Sequence, residues 1–204
     1  MSPAPGSDDG SHEAVRDGSV VIRQAEQADL LDVFRIERAT FPQPWPFSAF
    51  ESFLGERGFL VATREASPEV VGYVVSDTTP NYGRDIGHVK DLAIHPEARR
   101  QGIGRDLLHR ALATLGSAGA ALVKLEVRAT NDAALALYRS EGFEPLRRVP
   151  RYYDDGEDAY VMVLDLAEWN AERERAATGD ADHPRESGSG ADTDSDTAST
   201  RTDS

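Results

Sequence analysis

The sequence predicts a mixed α/β domain built on one sheet, and three observations carry this. Short apolar runs of strand length recur along the chain, and they alternate with stretches whose apolar residues follow helical spacing. Between them stands one strand, turn and helix junction, Val89 to Arg105, where an apolar run meets Arg99-Arg100-Gln101-Gly102-Ile103-Gly104-Arg105 and then a strongly periodic helix. The predicted order over residues 19–168 is β-α-α-β-β-β-α-β-α-β-β.

Val20-Val21-Ile22-Arg23 forms the first strand, and Ala25 to Asp29 leads into a helix with Leu30, Val33, Phe34 and Ile36 on one face. Prolines 42, 44 and 46 then forbid regular helix. Phe41, Trp45 and Phe47 in the same stretch are too apolar for an ordinary solvated loop. They admit two readings, a loop folded onto the core or an aromatic wall for a bound peptide. Ser48 to Leu54 gives a second short helix. Gly58–Thr63 and Val70–Ser76 read as an antiparallel hairpin, Thr79 to Arg84 as turn chemistry, and His88–His95 as the next strand.

The helix after the glycines carries Ile103, Leu107, Leu108, Ala111, Leu112 and Leu115 on one face, with a stop expected at Gly116. Ala121–Val127 is a strand. Thr130-Asn131-Asp132 caps a helix over Ala133–Ser140, which stops at Gly142. Phe143–Val149 and Ala159–Leu166 complete the sheet, with Tyr152-Tyr153-Asp154-Asp155-Gly156 turning between them.

Of the 204 residues, 1–18 and 169–204 are rich in Ser, Asp, Gly and Thr and poor in large apolar side chains, so both are expected to be disordered. A cut at about residue 169 is accordingly expected to spare the domain. The net charge is −14, of which about −6 falls between the two ends. Such a surface repels phosphate backbones and favours a basic partner or a basic peptide end, so no direct nucleic-acid partner is expected. Only Lys90 and Lys124 stand against twenty arginines; an acidic, lysine-poor surface of this kind is expected of a salt-rich, halophilic cytoplasm. There is no cysteine, hence no thiol nucleophile and no thiolate metal site, and the five histidines show no metal-ligand spacing, so no metal is expected. No apolar run approaches a membrane span and the N-terminus lacks a signal-peptide core, so the expected location is cytoplasmic and no membrane partner is expected.

The glycine junction leaves helix N–H groups unpaired at the positive end of the helix dipole, which suits an anion, and a phosphate above all. It is neither a dinucleotide fingerprint, since Leu107 stands where the third glycine would be, nor a Walker loop. Alone it admits a structural loop as readily as a site.

In its context, Arg99, Gly102 and Gly104 match the pattern [RQ]-x-x-G-x-[GA], and the chain from Val20 to Leu166 resembles the GCN5-related N-acetyltransferase (GNAT) family. Leu125-Glu126-Val127-Arg128-Ala129-Thr130-Asn131, Ala136-Leu137-Tyr138, Glu141-Gly142-Phe143 and the stretch from Tyr152 to Ala159 are similar to two branches, the RimI-type ribosomal-protein-alanine enzymes and the archaeal and Ard1-type N-terminal acetyltransferases. The resemblance implies the GNAT acyl-CoA fold and transfer of acetyl from acetyl-CoA to the α-amine of a protein N-terminus, that of ribosomal protein S18 or another. It implies that Leu92, Ala93 and Ile94 hold the acetyl and pantetheine arm, and that Arg100, Gln101, Gly102, Ile103, Gly104 and Arg105 cradle the pyrophosphate. Asn131 becomes a cofactor contact, Glu126 the proton acceptor and Tyr138 the proton donor. Phe41, Trp45, Tyr152 and Tyr153 would line the acceptor groove. Ard1-type enzymes carry Leu-Pro-Glu where this chain has Phe41-Pro42-Gln43, so no glutamate role passes to that loop.

Each assignment has a plainer counterpart. Glu126 also reads as a solvent-facing strand residue, Tyr138 as core, Asn131 as a helix cap, and His88 as either a sheet residue or a reserve base. An α-amine titrates near 7.7–8.0, so it must lose a proton before attacking a thioester. Without cysteine, direct transfer in a ternary complex is expected rather than an acetyl-enzyme. A small-molecule amine as acceptor, or a non-catalytic acetyl-CoA-binding interaction protein, are the alternatives.

Overall fold

The computed structural model describes residues 19–65, 67–81 and 85–178. Seven strands form one sheet in the order β1-β2-β3-β4-β5-β7-β6: β1 Val20–Gln24, β2 Phe59–Arg64, β3 Ser67–Thr79, β4 Asp85–Ile94, β5 Ala120–Arg128, β6 Glu144–Val149 and β7 Ala159–Asp165. Every pairing is antiparallel except β4 with β5. That parallel pair needs a crossover, and the helix predicted after the glycines, α3 Ile103–Ser117, supplies it. The expected element order stands. The strands run longer than their apolar runs because polar residues at their ends still find partners in the ladder.

Two cores lie on opposite faces. On one, α3 buries Leu107, Leu108, Ala111, Leu112 and Leu115 against Val89, Val123, Leu125 and Val127, joined by Leu135 and Tyr138 of α4 Asp132–Ser140. On the other, Leu30, Val33 and Ile36 of α1 Leu30–Thr40 and Phe50 of α2 Phe47–Ser52 cover Val61, Tyr73, Val75 and Ala93. Alternation along each strand feeds both, so the central strands read as near-continuous apolar runs.

Two expectations need correction. Gly116 does not stop α3; the helix runs to Ser117, and the left-handed residue is Gly119 at φ +95°. Residues 169–178 are not a tail. They belong to a fifth helix, α5 Leu166–Thr178, whose Leu166 and Trp169 are buried in the α3-side core. Trp169 meets His109 of α3 edge-on at 5.6 Å, and Arg173 lies 4.8 Å over its ring. One aromatic and one leucine anchor a helix that is otherwise charged, which is why composition averaged over the tail concealed it. Residues 1–18 and 179–204, expected to be disordered, lie outside the described residues.

The better cut is therefore after Thr178. Removing residues 179–204 should leave the melting temperature unchanged, whereas Trp169→Ala should cost about 3 kcal/mol and lower Tm by roughly 6–12 °C. Thermal unfolding followed by circular dichroism checks both.

Candidate active site

The site begins where two strands part. Parallel pairing of β4 and β5 runs from Asp85↔Ala120 to Val89↔Leu125 and stops. Beyond it β4 continues to Ile94 on β3, and β5 continues to Arg128 on β7. A split thus opens in the middle of the sheet, edged by two strands that are each paired on one side only.

A bulge prepares that edge. Ser76 pairs with Val89 but Val75 with Asp91, so Lys90 is an extra residue in β4. The insertion reverses the alternation: Val89 faces the α3 core, whereas Asp91 and Ala93 face the α1 side. The His95 N–H donates to the Val71 carbonyl at 2.8 Å, which fixes the phase of the ladder. Ala93 then points its backbone at β3, while Leu92 and Ile94 turn theirs toward the open split. Of the three residues expected to hold the acetyl and pantetheine arm, Leu92 and Ile94 turn backbone groups to the split, the Ile94 carbonyl already accepting from Arg99, and Ala93 does not.

On the α1 face, His88 and Glu126 meet across the end of the paired region. His88 Nε2 lies 2.6 Å from Glu126 Oε2, and Lys124 Nζ lies 3.4 Å from Glu126 Oε1. Burial acts against ionisation of Glu126. The hydrogen bond from His88, and the charges of His88 and Lys124, outweigh it and hold the carboxyl below its ordinary range. Glu126 is therefore not a solvated strand residue, and His88 is its direct partner. The same face holds a buried group that sequence reasoning missed: Glu37 of α1, Tyr73 of β3 and Asp91 of β4. Tyr73 Oη is 2.5 Å from Glu37 Oε2 and 2.8 Å from Asp91 Oδ2. The sequence signal was a carboxylate at position 37, in phase with the apolar stripe of Val33 and Ile36.

The α3 face holds the rest. Gly102, at φ +85°, is the N-cap of α3, and Arg100 is also left-handed at φ +61°. The helix then opens with Ile103 and Gly104, whose N–H groups have no intrahelical partner. A Cβ on Gly104 would make only ordinary contacts, 3.6 Å to Ile94 and 3.8 Å to Leu137. Packing within the chain does not demand a glycine there; close approach of a ligand would. Gln101 is exposed beside it. The arginines are engaged elsewhere: Arg105 donates to Glu141 at 2.7 Å and to Ser140 at 3.0 Å, and Arg99 folds back to the Ile94 carbonyl at 3.2 Å. The Arg105 guanidinium is thus drawn toward the end of α4.

Tyr138 comes from α4, 7% exposed, with its ring edge against Phe143 at 5.7 Å. It is core, as one reading had it, yet its hydroxyl has no hydrogen-bond partner among the described residues. Burial raises its pKa, helped by Asp91 and Tyr153, so the phenol keeps its proton. Asn131 is the helix cap, its Oδ1 accepting from the Ala134 N–H at 3.2 Å.

Two aromatic loops flank the split. Phe41 and Trp45 are half-buried, and Trp45 stacks on Phe53 at 6.0 Å, so that loop is folded onto the α1-side core. Tyr152 is exposed, while Tyr153 tucks under Arg128, whose guanidinium lies 3.9 Å from its ring centre. Arg128 also binds Asp155 at 2.8 Å and Glu157 at 2.7 Å. Hydrogen bonds from Thr130 and Arg128 hold the Glu157 carboxyl down to about 2, and burial pushes the Tyr153 phenol up to about 12. A shallow depression lined by Val21, Arg23, Thr63 and Pro68 lies at the far sheet edge, strands away from this chemistry.

Residues 30–143 match the model of the acetyltransferase (GNAT) family. The chain is 34% identical over 155 residues to an N-alpha-acetyltransferase of Sulfolobus acidocaldarius, covering 71% of this chain and 92% of that protein. It is 33% identical over 149 residues to the [ribosomal protein bS18]-alanine N-acetyltransferase of Escherichia coli, covering 72% and 97%. The crystal structure of Ard1 from Thermoplasma volcanium superposes with a TM-score of 0.65 at 27% identity, over 72% of this chain and 97% of that one. A split parallel pair, a glycine turn at its mouth and these matches along most of the domain lead to one conclusion: the chain belongs to the GNAT acetyltransferase family.

Proposed function

We propose that the chain is a protein N-terminal acetyltransferase, moving acetyl from acetyl-CoA to the α-amine of a protein N-terminus in a ternary complex. The observation that carries this is the split itself. The His88–Glu126 pair stands at the end of the paired region on one face of the sheet, Tyr138 is packed on the other face and feels the charge of Asp91, and the glycine turn follows β4, which supports a site in the gap between β4 and β5. One relative is named an N-alpha-acetyltransferase and another an alanine N-acetyltransferase of ribosomal protein bS18, which supports a polypeptide acceptor. A ribosomal protein is one such acceptor, and a cytoplasmic site of action follows from it.

In this reading the N–H groups of Gly102, Ile103 and Gly104 hold the pyrophosphate, and Arg100 and Gln101 border it. Arg105 serves through its backbone position alone. The outward N–H groups of Leu92 and Ile94 bind the pantetheine arm and the carbonyl that becomes an oxyanion. Glu126 draws the ammonium of the acceptor into the split and, with His88, accepts its proton. Tyr138 gives a proton or a hydrogen bond to the departing thiolate. The nitrogen–carbon bond forms as the carbon–sulfur bond breaks. Phe41 and Trp45 on one side, and Tyr152 and Tyr153 on the other, wall the acceptor.

Acetylation of a peptide panel varied at its first two positions tests the proposal; a chain that acetylates only small amines overturns it. Glu126→Gln and Tyr138→Phe should each lower kcat by about a hundredfold with acetyl-CoA affinity intact, as expected for lost proton-transfer groups. Glu126 already ionises below the ordinary carboxylate range, so it stays charged at neutral pH. The acidic limb of kcat/KM should therefore follow the acceptor amine, near pH 7.7–8.0, and Glu126→Gln should not move it. Gly104→Ala should leave Tm equal or slightly higher, yet weaken acetyl-CoA binding about tenfold or more by calorimetry, since the methyl occupies the approach to the turn.

A further inference from the structure

We infer that Glu37 is a positioning residue for the acceptor, tying the Trp45 loop to the strands at the mouth of the split through Tyr73 and Asp91. The inference rests on the reading of the chain as a protein N-terminal acetyltransferase.

The loop from Phe41 to Pro46 contains prolines 42, 44 and 46, so only Phe41, Gln43 and Trp45 carry an N–H. Glu37 holds two of the three. Its carbonyl accepts from the Phe41 N–H at 2.9 Å, and its carboxylate Oε1 accepts from the Trp45 N–H at 2.7 Å. A segment that cannot build a ladder of its own is thus fixed by one residue of the preceding helix.

The other carboxylate oxygen faces the sheet. Tyr73 has a single hydroxyl proton and lies within hydrogen-bond distance of two carboxyl groups. It can donate to only one. One of the two carboxyls must then hold a proton toward Tyr73, and Glu37, whose other oxygen accepts from the Trp45 N–H and which lies nearer the hydroxyl, is the better acceptor, which leaves the proton to Asp91. Burial and the charge of Glu37 push the Asp91 carboxyl well above its ordinary range, in agreement. The line runs from Asp91 at the split, through Tyr73, to Glu37 and the Trp45 amide.

Stability does not explain this charge. Glu37 is 1% exposed, no Lys, Arg or His pairs with it among the described residues, and its neighbours on α1 are Val33 and Ile36. An apolar side chain of similar size would fill the space at less cost. What an apolar residue lacks is direction: it cannot hold an amide at a set distance from β3 and β4. The carboxylate fixes the Trp45 backbone relative to Asp91, and so sets one wall of the acceptor groove relative to the strand that carries the acetyl group.

Glu37→Met, similar in length and without an oxygen acceptor, and Glu37→Gln, which keeps a carbonyl for the Trp45 N–H, form the test. Hydrogen exchange at the Trp45 amide, read by NMR in the full chain, should speed up about tenfold or more in Glu37→Met and stay near wild type in Glu37→Gln. Peptide KM should rise about tenfold in the Met variant, with acetyl-CoA KM unchanged, and recover in the Gln variant. An unchanged Trp45 amide in Glu37→Met overturns the tether. Equal rises in both KM values, or a raised peptide KM in Glu37→Gln despite a protected amide, overturn the positioning role. A wild-type chain that acetylates no peptide instead sinks the reading of function, and does so before any variant is compared. If Glu37→Met does not fold, Tyr73→Phe replaces it, with the same two readouts and the same expected direction.

Discussion

The proposed site depends on β4 and β5 ceasing to pair after Val89 and Leu125. Unpaired strand edges inside a sheet are costly, because each buried N–H and C=O needs a partner. Here the gap survives because each edge is anchored from behind, β4 by its full pairing with β3 and β5 by its full pairing with β7, with α3 bridging both. A ligand lying in the gap would complete the ladder with its own amide groups, a strand-addition mode that an uninterrupted sheet cannot offer. The bulge at Lys90 matters for the same reason. Without that extra residue Asp91 would face α3, and the acceptor side of the split would lose its carboxyl.

The split also divides the work by face. A side chain on the α1 side of β5 cannot reach the α3 side of an intact sheet, yet the proposed reaction needs a base on one side of the thioester and a donor on the other. Opening the sheet lets Glu126 and Tyr138 act on one gap while each remains packed in its own core. Two loops close the α1 side, and each is bound to its nearer strand by a charged residue. Arg128 of β5 grips the loop of Tyr153 through a ring contact and two carboxylates, and Glu37 bridges α1, β3 and the loop of Trp45. The groove between them is therefore referenced to both edges of the split.

Local periodicity made most of the fold legible. Apolar runs of strand length bounded by turn residues located the strands, and the spacing of Leu107, Leu108, Ala111 and Leu112 located the crossover helix. The glycine turn was visible as a shape, and its meaning came from the family pattern around it. What stayed hidden depends on relations between distant segments. The bulge at Lys90 is a difference in count between two strands, which neither strand shows alone. Glu37 meets Tyr73, thirty-six positions away. Arg105 reads as a phosphate ligand until Glu141 is seen beside it. Trp169 anchors a helix because His109 and the α3 core lie beneath it, although the surrounding composition reads as solvated tail.

The electrostatics of the pair at the split bear on how an amine is made nucleophilic here. A carboxyl held below its ordinary range does not take a proton from a resting ammonium that titrates near 8, so in the proposed reaction the transfer accompanies attack on the thioester, when the nitrogen becomes more acidic. It is, however, a strong attractor of the cation. The His88 ring is hydrogen-bonded to that same carboxylate at 2.6 Å and fixes its orientation. In the proposed reaction Glu126 thus first draws the ammonium in and orients it, and then, with His88 as its partner, takes the proton as the bond to carbon forms. Lys124, at 3.4 Å from Glu126, already places one cation beside the carboxylate. In the proposed reaction an incoming α-ammonium would meet that same carboxylate, so the charge it brings into a partly buried site is opposed by one of the other sign, which offsets part of the desolvation cost of binding.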